Sequence, residues 1–426
     1  MGSDEKLQSE YTPRAWLVIS GAATCLFCTV GFMNSFGIFQ EYYATNQLAQ
    51  SSQSTIAWLG AISIFFLFSI SVVSGTMLDV FGPKLLAYIG SLGTIFAVMM
   101  TSLCEEFYQF FLAQGVLLGI SMSLVTWPML ALVGQHIKRK RALAMGIVLA
   151  GSSLGGVIWP IAVDKLLKIP DIGFPWTMRI VGFIMIPCLS FSCVAAKPPI
   201  IPNAAVEDMD HSRGSSTDNA ISQTKDTDRK TEAIALLRKP EMQLLCGAMF
   251  ITYFGMFSPF FYTTSFSVDK GFPSSFGFYT VSIVNGASFF GRILPGIVAD
   301  KYGKFNCCIV STLVAGLVAL CWTRVESVAG LGIWSAAYGF ASGGILSLQQ
   351  ACAAQVATPS TLGLAIGSVS GSTALSAMAN VPISGALVEK YGYLSLSIFS
   401  GISLLLGGVL LGAARLAQNR KLAAIV

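Results

Sequence analysis

Few side chains in this sequence can do chemistry, and the most unusually placed of them is an arginine. Arg292 sits within an apolar stretch, eight residues before Asp300. If that stretch is a helix across a bilayer, a rise of about 1.5 Å per residue puts Arg292 roughly 12 Å from the Asp300 end. That is near the middle of a hydrocarbon layer ~30 Å thick. An arginine at such depth costs at least ~2.5 kcal/mol, so it must face a bundle interior or a wet cavity. Its planar guanidinium can grip a carboxylate through two parallel hydrogen bonds. The competing role is structural, a bond to a carbonyl or carboxylate of another span. Asn34, Trp127, Tyr262 and Asn285 lie in equally apolar runs and are candidates to line the same cavity. Tyr338, Gln349 and Asn380 are placed alike. For each, the plainer alternative is an interhelical hydrogen bond worth only ~0.6 kcal/mol.

Other chemistries have little to build on. His136 and His211 are the only histidines, and most of the ten cysteines fall inside apolar runs as small hydrophobes. No metal site, cofactor site or nucleophilic triad is expected, and no paired catalytic groups occur at membrane depth. The chain is therefore not expected to be an enzyme. The basic run from His136 to Arg141 lies between two apolar runs with no room for a nucleic-acid-binding domain. It reads as a basic anchor against anionic lipid.

The elements that position these residues follow from composition. Only 11% of residues are charged and 54% are hydrophobic, with mean hydropathy +0.69. Soluble domains carry about 25% charged residues, so lipid must be the solvent for most of this surface. Runs long enough to cross it predict twelve spans: 15–39, 55–80, 85–104, 109–133, 142–166, 176–196, 241–266, 277–299, 306–323, 328–352, 361–386 and 393–415. A polar stretch at 197–240, opening on Pro198-Pro199 and rich in Asp and Ser, reads as a flexible linker. It divides the chain into a tail (1–14), six spans (15–196), six more (241–415) and a second tail (416–426). With both termini inside the cell, nineteen loop or tail Lys and Arg fall inside and five outside, which favours that orientation. Residues 1–11 are polar and lack the layout of a secretory leader. An integral plasma-membrane protein with cytoplasmic termini is expected.

An internal repeat then appears. Gly75, Asp79, Gly82 and Lys84 close the second span, and Gly296, Asp300, Gly303 and Lys304 close the eighth. The first three positions of each set are offset by 221 residues. Duplicated six-helix halves about an axis normal to the membrane are an architecture of secondary transporters. An aspartate at a helix end can accept charge-assisted bonds from helix N-termini, and the glycines permit tight turns and close contact.

This pattern resembles the loop signature of the major facilitator superfamily, kept here in both halves. The resemblance implies an all-α polytopic fold of twelve transmembrane helices in two pseudo-symmetric six-helix bundles. It also implies that Asp79 and Asp300, with Gly82, Lys84 and Gly303, govern gating and hold the outward-facing state. A narrower resemblance lies in Lys138–Gly156 (KRKRALAMGIVLAGSSLGG), in Asn34–Tyr43 (NSFGIFQEYY) and in Pro382–Leu387 (PISGAL). These are similar to monocarboxylate-porter-like transporters of fungal type. Animal monocarboxylate porters pair an Asp with an Arg one turn later in the eighth span, whereas here Arg292 follows Ser288. The expected function is alternating-access transport of a small organic anion or carboxyl-bearing metabolite, by uptake or by export. Arg292, Asn34, Trp127, Tyr262 and Asn285 are the expected substrate residues. The partners are that small molecule and the lipid bilayer, with protons a candidate coupling ion and no nucleic acid. The alternative is a transporter-like nutrient sensor that binds without translocating.

Overall fold

The computed structural model describes residues 11–199 and 230–419. Among the described residues, ten helices are long and apolar enough to cross a membrane. One of them, Leu362–Gln418, is two spans run together, since Gly392 at φ 76° turns the chain between them. A shorter apolar helix, Lys304–Leu320, completes twelve spans. The first half comprises Pro13–Thr45, Thr55–Phe81, Pro83–Thr101, Phe107–His136, Arg141–Leu167 and Gly173–Ala195 (spans 1 to 6). The second comprises Pro240–Asp269, Ser274–Tyr302, Lys304–Leu320, Val328–Val356 and the two parts of Leu362–Gln418 (spans 7 to 12). Of the expected linker, 200–229 lies outside the described residues. Its last part is a helix at 230–238 rather than flexible chain. Leu236 explains the difference: it is buried, and an apolar contact holds what composition alone reads as linker.

Several spans are broken, and three of the breaks have a polar repair from neighbouring spans. Span 7 pauses at Phe257, because Pro259 has no N–H to offer the carbonyl of Gly255. Ser400 Oγ donates to Gly255 O instead (2.7 Å), Tyr338 Oη donates to Met256 O (2.7 Å), and Asn380 Nδ2 donates to Phe254 O. Three neighbouring spans thus satisfy a bend that lipid would leave bare. Span 2 breaks at Ile70, beside which Trp127 Nε1 donates to Leu67 O (2.8 Å). Span 1 breaks at Thr29, where Trp159 Nε1 donates to Phe27 O (2.9 Å).

The two halves meet along two lines related by the internal repeat. Span 2 packs on span 11, and span 5 packs on span 8. A Cβ on Gly367 would lie 2.3 Å from Ser71 O, and one on Gly146 would lie 2.2 Å from Arg292 O. Position 367 is 221 residues beyond 146, and 292 is 221 beyond 71. The same offset that relates the two aspartate motifs therefore relates their partner helices. Backbone approach this close requires glycine. Gly146→Leu is expected to wedge spans 5 and 8 apart. An introduced Ala142→Cys thiol should then react faster with an impermeant maleimide than it does with Gly146 in place.

Candidate functional site

One face of the bundle carries both described chain ends, since Tyr11 bonds Lys140 O and Arg415 bonds Asn306 at its loops. On this face the aspartate motifs are engaged. Asp79 accepts from the backbone N–H of Gly363 (3.1 Å) and Leu364 (3.0 Å), at the start of span 11. Asp300 accepts from those of Ala142 (3.0 Å) and Leu143 (3.0 Å), at the start of span 5. Helix N-termini present unsatisfied donors and a positive dipole end, so each carboxylate caps a helix of the opposite half. Arg141 adds a bond from its guanidinium to Ala354 O (2.5 Å) in span 10. Gly82 and Gly303 turn their loops at φ 78° and 100°, and Lys84 is exposed. The terminal face is closed.

Arg292 belongs to the same closure. It is buried, and its Nη1 donates to Leu149 O (2.5 Å) and to Ser152 Oγ of span 5, while Nε has no partner. Its equivalent in the other half, Ser71, makes the corresponding cross-half bond to Gly367 O (2.7 Å) with a hydroxyl. Arg292 therefore exceeds what the contact needs. It carries a charge and spare donors where its counterpart carries a single O–H.

Above this latch, away from the terminal face, polar groups line up toward a cavity. A Cβ on Gly156 would lie 2.7 Å from Asn285 Oδ1 and 3.1 Å from Asn34 Nδ2. The two asparagines, from opposite halves, converge over one glycine of span 5. Gly156 is one helical turn beyond Ser152 and hence beyond the latch. Tyr253 lies within electrostatic reach of Arg292 and accepts from Gln349 Nε2 (2.7 Å), whose Oε1 is buried without a partner.

The cavity itself has a volume of about 70 Å³ and an open mouth. Spans 1, 2 and 4 supply Met33, Phe36, Ile64 and Leu118, and the other half supplies Phe261 and Val381. Gln40, Ser63 and Gln114 are its polar members. None of the five expected substrate residues lines it. Asn34 and Asn285 lie together beside it, next to Met33. Tyr262 braces its wall by donating to Val381 O (3.0 Å). Trp127 is buried in the repair of span 2, its ring against Phe68, which in turn packs on Tyr253 across the halves. Tyr338 and Asn380 are interhelical bonds, the plainer of the alternatives for them. Gln114 was not singled out from the sequence, where a lone glutamine near the start of a span gives no signal of its partner. Tyr43 Oη donates to its Oε1 (2.8 Å).

The comparison with known proteins decides what such an arrangement is. The Major Facilitator Superfamily model matches residues 22–334. An MFS-type transporter of Aspergillus fumigatus is 43% identical over 412 residues, covering 96% of this chain and 93% of that protein. The chain belongs to the major facilitator superfamily. Among its relatives the agnestins efflux protein of Paecilomyces divaricatus is 42% identical, covering 96% of this chain and 89% of the relative. The human organic anion transporter TETRAN has the same fold, with TM-score 0.68 at 17% identity over 94% of this chain and all of that one. This facilitator-superfamily protein is thus an integral, multi-pass membrane transporter rather than an enzyme.

Proposed function

We propose that the protein exports a carboxyl-bearing secondary metabolite by alternating access, with the terminal face cytoplasmic. One observation carries the reading. The charged group best suited to a carboxylate, Arg292, is occupied by span 5 while the terminal face is closed. Opening that face separates spans 5 and 8 and frees the guanidinium toward the side from which an exported molecule enters. Closing it returns Arg292 to Leu149 O and Ser152 Oγ, which compete with the substrate and release it outward. Asn34 and Asn285 then lie on the route from the latch to the outer cavity. Names of relatives support the direction, since two at 42% and 39% identity are efflux proteins, for agnestins and aspyridones. The sensor alternative has no such support. Protons are the candidate coupling ion, and the carboxylates that cross between the halves are Asp79 and Asp300.

The test uses the full chain in proteoliposomes, sorted by orientation. Labelled 2-naphthoate should move from the terminal face to the opposite face faster than in protein-free vesicles. The amide of the same acid, matched in size and uncharged, should move little faster than background. Equal protein-dependent rates for acid and amide would refute a carboxylate requirement.

A further inference from the structure

The outer cavity is poorly suited to a small hydrophilic anion, and its chemistry defines what fits. Its walls are aromatic and aliphatic: Phe36 and Phe261 face it from opposite halves, and Met33, Ile64 and Leu118 fill the rest. The ring of Phe36 lies directly over Gly60, where a Cβ would sit 2.4 Å from it. That glycine sets the ring back and keeps the space open. Burial of apolar surface is the main favourable term such walls can offer a ligand, at about 25 cal/mol per Å², and aromatic rings add edge and face contacts.

Two polar groups interrupt these walls on one side. Ser63 is 4% exposed and its hydroxyl is buried without a hydrogen-bond partner. Several serine hydroxyls are buried unpaired among the described residues, but Ser63 alone of them lies in this cavity's wall, where a ligand can complete it. Gln114, 3% exposed, commits Oε1 to Tyr43 and so offers its Nε2 amide as a donor. No charged side chain lines the cavity. Both groups can donate, so the partner they suit is a neutral acceptor such as a ketone, ester or quinone oxygen.

We infer that this cavity binds the aromatic body of the transported molecule and that Ser63 and Gln114 hold a carbonyl oxygen on that body. This deepens the exporter reading by naming the part of the substrate that Arg292 does not touch. The ligand class is an aromatic ketone or quinone bearing a carboxyl group elsewhere.

The test separates the two sites with a neutral probe. Full-length protein in nanodiscs is titrated with 2-acetonaphthone and with 2-isopropenylnaphthalene, which has the same shape but no oxygen. The ketone should bind roughly five- to tenfold tighter, as one or two hydrogen bonds would give. Ser63→Ala, which removes only an unpaired hydroxyl, should fold normally and reduce that preference. Gln114→Leu should reduce it further, and Phe36→Ala should weaken both probes alike. Both probes are uncharged and the cavity holds no cation for them to meet, so failure of the carboxylate reading leaves this comparison standing and is distinguishable. Equal binding of ketone and hydrocarbon to the unaltered protein would overturn the inference. So would a preference that survives both Ser63→Ala and Gln114→Leu, or failure of the ketone to bind.

Discussion

Arg292→Ala stops carboxylate export. The expected loss in transport efficiency is roughly 100-fold or more, since a charge-assisted bond is worth ~1.5–3 kcal/mol and a carboxylate takes two. Arg292→Lys recovers little of it. An ammonium keeps the charge but cannot form the parallel pair with a carboxylate. Folding is spared, because the substitution removes a buried charge that is costly to hold in the bilayer. Labelled 2-naphthoate flux in oriented proteoliposomes, with protein content and insertion checked, measures this. A flux within twofold of the unaltered protein would exclude Arg292 as the anion site.

The second large effect concerns the closed face. Asp79→Asn and Asp300→Asn together should convert it from mostly closed to mostly open. Each carboxylate accepts two backbone N–H bonds at a helix N-terminus. An asparagine keeps one acceptor oxygen and loses the charge that the helix dipole favours. A loss of about 2–3 kcal/mol per site is expected. Reversing a 99:1 population takes ~5.5 kcal/mol, so both substitutions are needed for a full shift. The single variants should be unequal. When Asp300 is altered, span 5 keeps its bonds to Arg292 of span 8 and, through Arg141, to span 10, whereas the span 2–11 line keeps chiefly the Ser71 bond when Asp79 is altered. Asp79→Asn should therefore open the face more than Asp300→Asn, read as a longer spin-label distance between the start of span 11 and the end of span 2.

The twelve spans were legible in the sequence because lipid imposes one simple rule, a run of apolar residues of sufficient length. Boundaries moved where polar residues continue a helix past the hydrocarbon, as Gln40 to Thr45 do in span 1. The helix at 230–238 was not legible, since it depends on Leu236 finding a buried place in the fold. The repeat was half visible. Asp79 and Asp300 stand out as charges, but their partners are backbone N–H groups of Gly363, Leu364, Ala142 and Leu143, which no side-chain pattern marks. The burial of Arg292 followed from its depth, yet its attachment to span 5 did not, because helix packing across the halves is a tertiary fact. Trp127 and Tyr262 are amphipathic side chains near the site, and periodicity cannot tell a residue that faces a cavity from one that braces its wall.

The central claim is that one guanidinium serves in turn as a latch and as an anion site. It is tested most directly by comparing the affinity of 2-naphthoate for the unaltered protein with that for the Asp79→Asn, Asp300→Asn double variant, each measured with and without Arg292→Ala. Opening the terminal face frees Arg292 from its span 5 acceptors, so the double variant should bind at least about tenfold tighter, the equivalent of ~1.4 kcal/mol, and the gain should vanish without Arg292. Equal affinity in the two proteins, or a gain that persists when Arg292 is alanine, would contradict the account.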